Sequence, residues 1–141
     1  MTNLMPSRRQ VLCGLMVGLL APGALVACTN GTARRNGVGD GKSGSVLAKV
    51  SDIAVGGGAL VNSGTNGQLL VCQPSKGVFT AYDPTCTHLQ NTVDPPVSDV
   101  ITCPAHGSQF NAANGDVERG PAQTPLTSVK VTISGANVVL A

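Results

Sequence analysis

The 141-residue sequence contains no tryptophan, one tyrosine and two phenylalanines, against 18 glycines and nine prolines. So few bulky rings among so many turn-formers favour short strands joined by tight loops over a helical bundle. No stretch sustains a helical apolar period beyond about two turns. A long unbroken hydrophobic run is also missing. The apolar stretch Val11 to Ala27 is interrupted by Pro22-Gly23, which argues against a spanning helix. There is no basic stripe either. From residue 46 onward Lys49, Lys76, Arg119 and Lys130 stand against Asp52, Asp83, Asp94, Asp99, Asp116 and Glu118, four against six, a net −2. That balance argues against a nucleic-acid partner. A paired disulfide framework is absent as well. Of five cysteines, Cys13 and Cys28 fall near the N-terminus. The remaining three, Cys72, Cys86 and Cys103, cannot all pair with one another.

What is present begins with an address. Residues 1–27 read as a signal peptide, with Arg8 and Arg9 ahead of the apolar run. Ser7-Arg8-Arg9-Gln10-Val11-Leu12 resembles the twin-arginine export signal, whose pathway carries folded cargo. It departs from that signal at Val11, where an aromatic residue is usual, and in having no lysine directly after Leu12. Leu25-Val26-Ala27-Cys28 resembles a bacterial lipobox, which implies acylation of Cys28 as the mature first residue. Buried acyl chains favour membrane binding by about 0.8 kcal/mol per CH₂. An ordinary secretory signal with a positive n-region is the alternative. Residues 28–45, TNGTARRNGVGDGKSGS after the cysteine, show no apolar period and read as a flexible tether. Seventeen such residues would span about 20–25 Å.

Residues 46–141 read as one all-β, antiparallel domain. Strands are expected at Val46–Ile53, Ala59–Asn62, Gln68–Gln73 and Val78–Asp83, with glycine-rich turns between them. Val129, Val131 and Ile133 alternate with polar residues, and Gly135-Ala136 turns the chain into a closing strand over Asn137–Ala141. Between about residues 83 and 125 the apolar residues thin out and prolines cluster. A long irregular segment inside a small domain is usually functional.

That segment holds the only two histidines of the chain, each beside a cysteine: Cys86-Thr87-His88 and Cys103-Pro104-Ala105-His106. Two thiolates and two imidazoles on two loops suit a [2Fe–2S] cluster with one Cys₂ iron and one His₂ iron. They also suit tetrahedral zinc, which would make the domain a zinc-stabilised, non-redox binding module. Cys72, within an apolar strand, reads as a buried structural thiol.

The surrounding residues resemble the Rieske iron–sulfur family. Cys86-Thr87-His88-Leu89 is similar to its first cluster loop and Cys103-Pro104-Ala105-His106-Gly107-Ser108 to its second. Phe110 stands where an aromatic residue is usual, and Gly120-Pro121 resembles the proline loop that covers the cluster. The resemblance implies a small antiparallel domain of base sheets plus a two-loop cluster-binding subdomain. It implies Cys86 and Cys103 on one iron, His88 and His106 on the other, and a Ser108 hydroxyl donating to a cluster sulfur. Two departures matter. The positions of the loop-tying cysteines of high-potential members are Asn91 and Ala105, and that of a potential-raising tyrosine is Phe110. A lower potential is therefore expected.

The resulting expectation is an extracytoplasmic one-electron carrier, lipid-anchored to the bacterial cell membrane, exchanging electrons with a redox protein donor and acceptor. The alternative is the electron-transfer subunit of an exported oxidoreductase complex. A self-sufficient oxygenase is disfavoured, because only about 20 residues follow the cluster loops.

Overall fold

The computed structural model describes residues 35–141, so the expected signal sequence, with Arg8, Arg9 and Cys28, lies outside the described residues. In chain order the strands are β1 (Arg35–Asn36), β2 (Val46–Lys49), β3 (Gly57–Ser63), β4 (Gly67–Ser75), β5 (Val78–Tyr82), β6 (Val100–Thr102), β7 (Gln109–Asn111), β8 (Val117–Arg119), β9 (Ser128–Val129), β10 (Val131–Ser134) and β11 (Asn137–Leu140). A one-turn 3-10 helix at Val50–Asp52 is the only helix among the described residues. The expected strands recur as β2 to β5, except that β2 stops at Lys49. There the chain turns, and the Val50 N–H donates to Ala136 O at 2.9 Å.

Three sheets result. β1, β4, β5 and β9 lie in that order, with β3 also paired to β4; β10, β11 and β2 form the second sheet; β6, β7 and β8 form the third. All pairings are antiparallel except the two-residue β1–β4 contact. The third sheet occupies a region expected to be irregular. Its strands have three residues each, too few for an alternating pattern to show in sequence.

The apolar run in β4 explains how the layers join. Successive side chains of a strand point to opposite faces. Leu69 and Val71 enter a base core with Leu47, Ala81, Val138 and Leu140. Leu70 and Cys72 enter a second core with Tyr82, Val93, Ile101 and Phe110. Leu69, Leu70 and Val71 are each fully buried, contributing about 1.5–3 kcal/mol apiece from burial. The Tyr82 hydroxyl donates to Ala112 O at 2.9 Å, so its ring crosses the second core with its polar end satisfied.

Cys72 is a buried free thiol, as expected. Burial pushes its pKa up to about 12, with a smaller push from the Asp99 charge. The unfolded thiol ionises near 9 while the folded one stays neutral, so the unfolded state binds fewer protons between these values. Stability should fall as pH rises from about 9 to 12, by up to about tenfold in folding equilibrium constant per pH unit. Urea titrations of wild type and Cys72→Ala across that window check this. The variant should show the shallower decline.

Candidate metal centre

Both Cys–His segments fold as loops closed by the same backbone bonds. In the first, Cys86 N–H donates to Asn91 O (2.7 Å) and Gln90 N–H to Cys86 O (2.9 Å). In the second, Cys103 N–H donates to Ser108 O (2.8 Å) and Gly107 N–H to Cys103 O (2.9 Å). Gln90 and Gly107, at matching places, both have left-handed backbone, with φ 59° and 75°. Each loop therefore lifts a histidine away from a cysteine held at its base, although the spacings are C-x-H and C-x-x-H.

The four side chains sort by depth. Cys86 and Cys103 are 1% and 0% exposed, within the second core. His88 is half-buried and His106 exposed. The two imidazole rings meet edge to face, 4.9 Å between centroids. Burial pushes the Cys103 thiol up, and the adjacent Cys86 thiol pushes it further; N–H groups of Ala105 and His106 aimed at the sulfur act the other way. The Cys103 thiol therefore resists ionising unless a cation joins it, and the waiting N–H donors suit a thiolate. Among the described residues His88 Nδ1 is buried without a hydrogen-bond partner, an uncommon state for a polar atom unless a ligand takes it.

These features fit an iron–sulfur cluster better than a single ion. Among the described residues, no three His, Cys, Asp or Glu side chains gather around one metal position. A tetrahedral zinc site needs four. Paired thiols on the inside and paired imidazoles on the outside instead suit a two-metal group set between them.

The other residues singled out in the sequence surround this centre. Ser108 is fully buried, and its Oγ accepts the Ala122 N–H at 3.0 Å. Phe110 is also fully buried, with Ile101 and Val117 as cross-strand partners. The Gly120-Pro121 peptide is cis, and Pro121 lies with Thr87, His88, Gln123 and Thr124 around an open cleft of about 500 Å³. Sequence reasoning missed Thr87, whose hydroxyl donates to Thr124 O at 2.6 Å. The segment Gly120–Leu126 thus touches the first loop through Thr124 and the second through Ala122. A carbonyl acceptor carries no side-chain signature, so nothing in the sequence marked this clasp. Among the described residues Cys72, Cys86 and Cys103 are all free, and no disulfide joins the loops.

Fold and site together define a small β iron–sulfur protein. The profile of the Rieske [2Fe-2S] domain matches residues 44–130, and the chain belongs to that family. A domain of this family binds a [2Fe–2S] cluster. The chain is 50% identical over 54 residues to the cytochrome b6-f complex iron-sulfur subunit of Synechococcus sp. (strain JA-2-3B'a(2-13)), covering 38% of this chain and 31% of that one. It thus spans about a third of that relative's length. The cyanobacterial plasma membrane Rieske protein PetC3 from Synechocystis PCC 6803 is 28% identical with a TM-score of 0.59, covering 69% of this chain and 98% of the other. A chain from the complex of reduced oxygenase and oxidized ferredoxin in carbazole 1,9a-dioxygenase is 29% identical with a TM-score of 0.60, covering 69% and 91%.

Proposed function

We propose that this chain is a one-electron transfer protein anchored at the outer face of a bacterial membrane. Cys86 and Cys103 would hold one iron of its cluster, and His88 and His106 the other. When bound, the cluster supplies a one-electron couple. The observation that carries the reading is the depth order of the four side chains, with buried thiols beneath imidazoles at the surface. The chain's own residues keep water from the sulfur side, orient the imidazoles and leave His106 reachable by a partner. The three segments that frame the site, residues 86–93, 103–112 and 120–127, contain no Asp, Glu, Lys or Arg. Leu89, 60% exposed beside His88, adds an apolar contact. Such a face suits partners that dock without charge pairing, since steering fields have little to act on there.

The anchor and the location rest on sequence, through Arg8-Arg9 and Leu25-Val26-Ala27-Cys28. Cluster assembly in the cytoplasm fits a route that exports folded cargo. Replacing both arginines with lysine should leave cluster-loaded protein inside the cell, and Cys28→Ser should release it from the membrane fraction. Unaltered fractionation of both variants would remove this part of the proposal.

Loop chemistry bears on the potential. Asn91 and Ala105 cannot tie the loops, and Phe110 has no hydroxyl to offer a ligand sulfur. The potential is expected below that of members that carry the loop disulfide and the tyrosine, within the range of about −150 to +300 mV for Rieske centres. Phe110→Tyr should raise it, because a donor near a thiolate favours the reduced state. EPR-monitored redox titration measures both; a wild-type value near the top of that range refutes the argument.

A second reading, a subunit docked to an exported oxidoreductase, draws on the relative solved in a complex with its oxygenase. Co-purification of a larger redox protein with the chain would favour it.

A further inference from the structure

Residues 35–45 were expected to be leash, and most of them precede the family match, which begins at residue 44. They are instead packed onto the domain. β1 pairs with Gly67 and Gln68, and Gly37 exchanges both backbone hydrogen bonds with Gln68, at 2.8 and 3.0 Å. Ser63 Oγ donates to Val38 O at 2.8 Å. The Asp40 carboxylate accepts from the Thr65 N–H at 2.7 Å and the Asn66 N–H at 3.2 Å. The Thr65 hydroxyl and these amides hold Asp40 below the usual carboxylate range. A side chain on Gly39 would start 2.4 Å from the Gly67 nitrogen. Glycine there serves close backbone approach rather than flexibility.

The same segment reaches the first cluster loop. Asn36 Nδ2 donates to Thr92 Oγ1 at 3.0 Å, and the Thr92 hydroxyl returns a longer contact to Asn36 Oδ1 at 3.4 Å. Thr92 pairs with Thr85 across the neck of the loop that carries Cys86 and His88. Gly37, at φ +102°, lies against Asp83; a Cβ there would sit 3.1 Å from Asp83 Oδ2. Asp83 Oδ1 accepts the Thr85 N–H at 2.9 Å. The segment therefore bonds one limb of the neck through Asn36 and passes close to Asp83, which caps the other.

We propose that residues 35–41 form a strap that positions the first cluster loop, through Asn36 on Thr92 and Gly37 on Asp83, and so slows loss of the cluster. The strap acts in a chain whose loops have no disulfide between them. This rests on the assignment of Cys86 and His88 as ligands.

The test uses the full-length, cluster-loaded chain with Asn36→Ala, Thr92→Val, their double variant, Thr92→Ser and Gly37→Ala. Bleaching of the visible absorption is followed under excess chelator. Hydrogen exchange at the Cys86 and Val93 amides is measured alongside. Each of the first two variants should release the cluster about 2–10-fold faster, the range one hydrogen bond supports. The double variant should be no faster than the faster single, since both remove one contact. Thr92→Ser should keep the wild-type rate, and Gly37→Ala should exceed Asn36→Ala. Exchange at both amides should rise in step. Unchanged rates and exchange in Asn36→Ala and Thr92→Val, multiplying effects in the double variant, or Thr92→Ser behaving like Thr92→Val would overturn the strap. A wild-type chain without cluster absorption would count against the ligand assignment, while the exchange readout would still decide the strap.

Discussion

A Cys103→Ala protein is expected to fold and yet to lack iron, visible absorption and the EPR signal of a reduced cluster. The thiol it loses is fully buried beside Cys86. The loop that carries it closes through backbone groups, Cys103 N–H to Ser108 O and Gly107 N–H to Cys103 O, which alanine retains. The frame should therefore survive while the inner pair is broken. Losing a residue that only hydrogen-bonds a ligand already costs about 10–100-fold in metal affinity, so losing a ligand should cost more. His106→Ala should have the same outcome from the opposite side, although its imidazole is exposed and its removal opens no core cavity. Iron analysis together with far-UV circular dichroism separates cluster loss from unfolding. Near-stoichiometric iron in a folded Cys103→Ala protein would refute the ligand set.

Phe110→Ala should be the most damaging single change to the apolar structure near the centre. The ring has 0% exposure in the middle of β7, between Ile101 on β6 and Val117 on β8. It shares its core with both candidate cysteines and with Tyr82. Truncating a buried phenylalanine costs about 3–5 kcal/mol, a large part of the roughly 5–15 kcal/mol that holds a domain together. For a domain of this size each kcal/mol lowers Tm by about 4–8 °C, so a fall of more than about 12 °C is expected. Thermal denaturation of the metal-free protein isolates packing from cluster binding. A fall below about 4 °C would mean that the third sheet does not depend on this ring. Phe110→Tyr keeps the ring, so its effect should appear in the potential rather than in stability.

Much of the centre was legible before any fold was known, because cysteine and histidine carry their chemistry wherever they are placed. Two Cys–His pairs and no further histidine leave few ways to build the site. The β class was legible for a similar reason: glycine, proline and β-branched residues act locally. The clasp through Thr87 and Thr124 was not legible, and neither was the β6–β8 sheet. The first depends on a carbonyl and the second on strands of three residues, and neither leaves a periodic or compositional trace.

The glycine-rich stretch before residue 46 shows the division most clearly. Composition alone reads Gly37, Gly39 and Gly41 as slack, because a residue without Cβ is both freer in solution and able to pack closer in a fold. Only the partner surface, here Gly67, Asn66 and Asp83, decides which property operates. The sequence by itself determined the four candidate ligands, the β class, the missing loop disulfide and the hydroxyl-free ring at Phe110, all properties of residue type and spacing. The tertiary structure decided that the thiols lie inside and the imidazoles outside, that Asn36 reaches Thr92, and that the domain begins at least ten residues earlier than its strand pattern suggested. Those outcomes depend on contacts between residues distant in the chain, up to 56 positions apart for Asn36 and Thr92, where local preference has no reach.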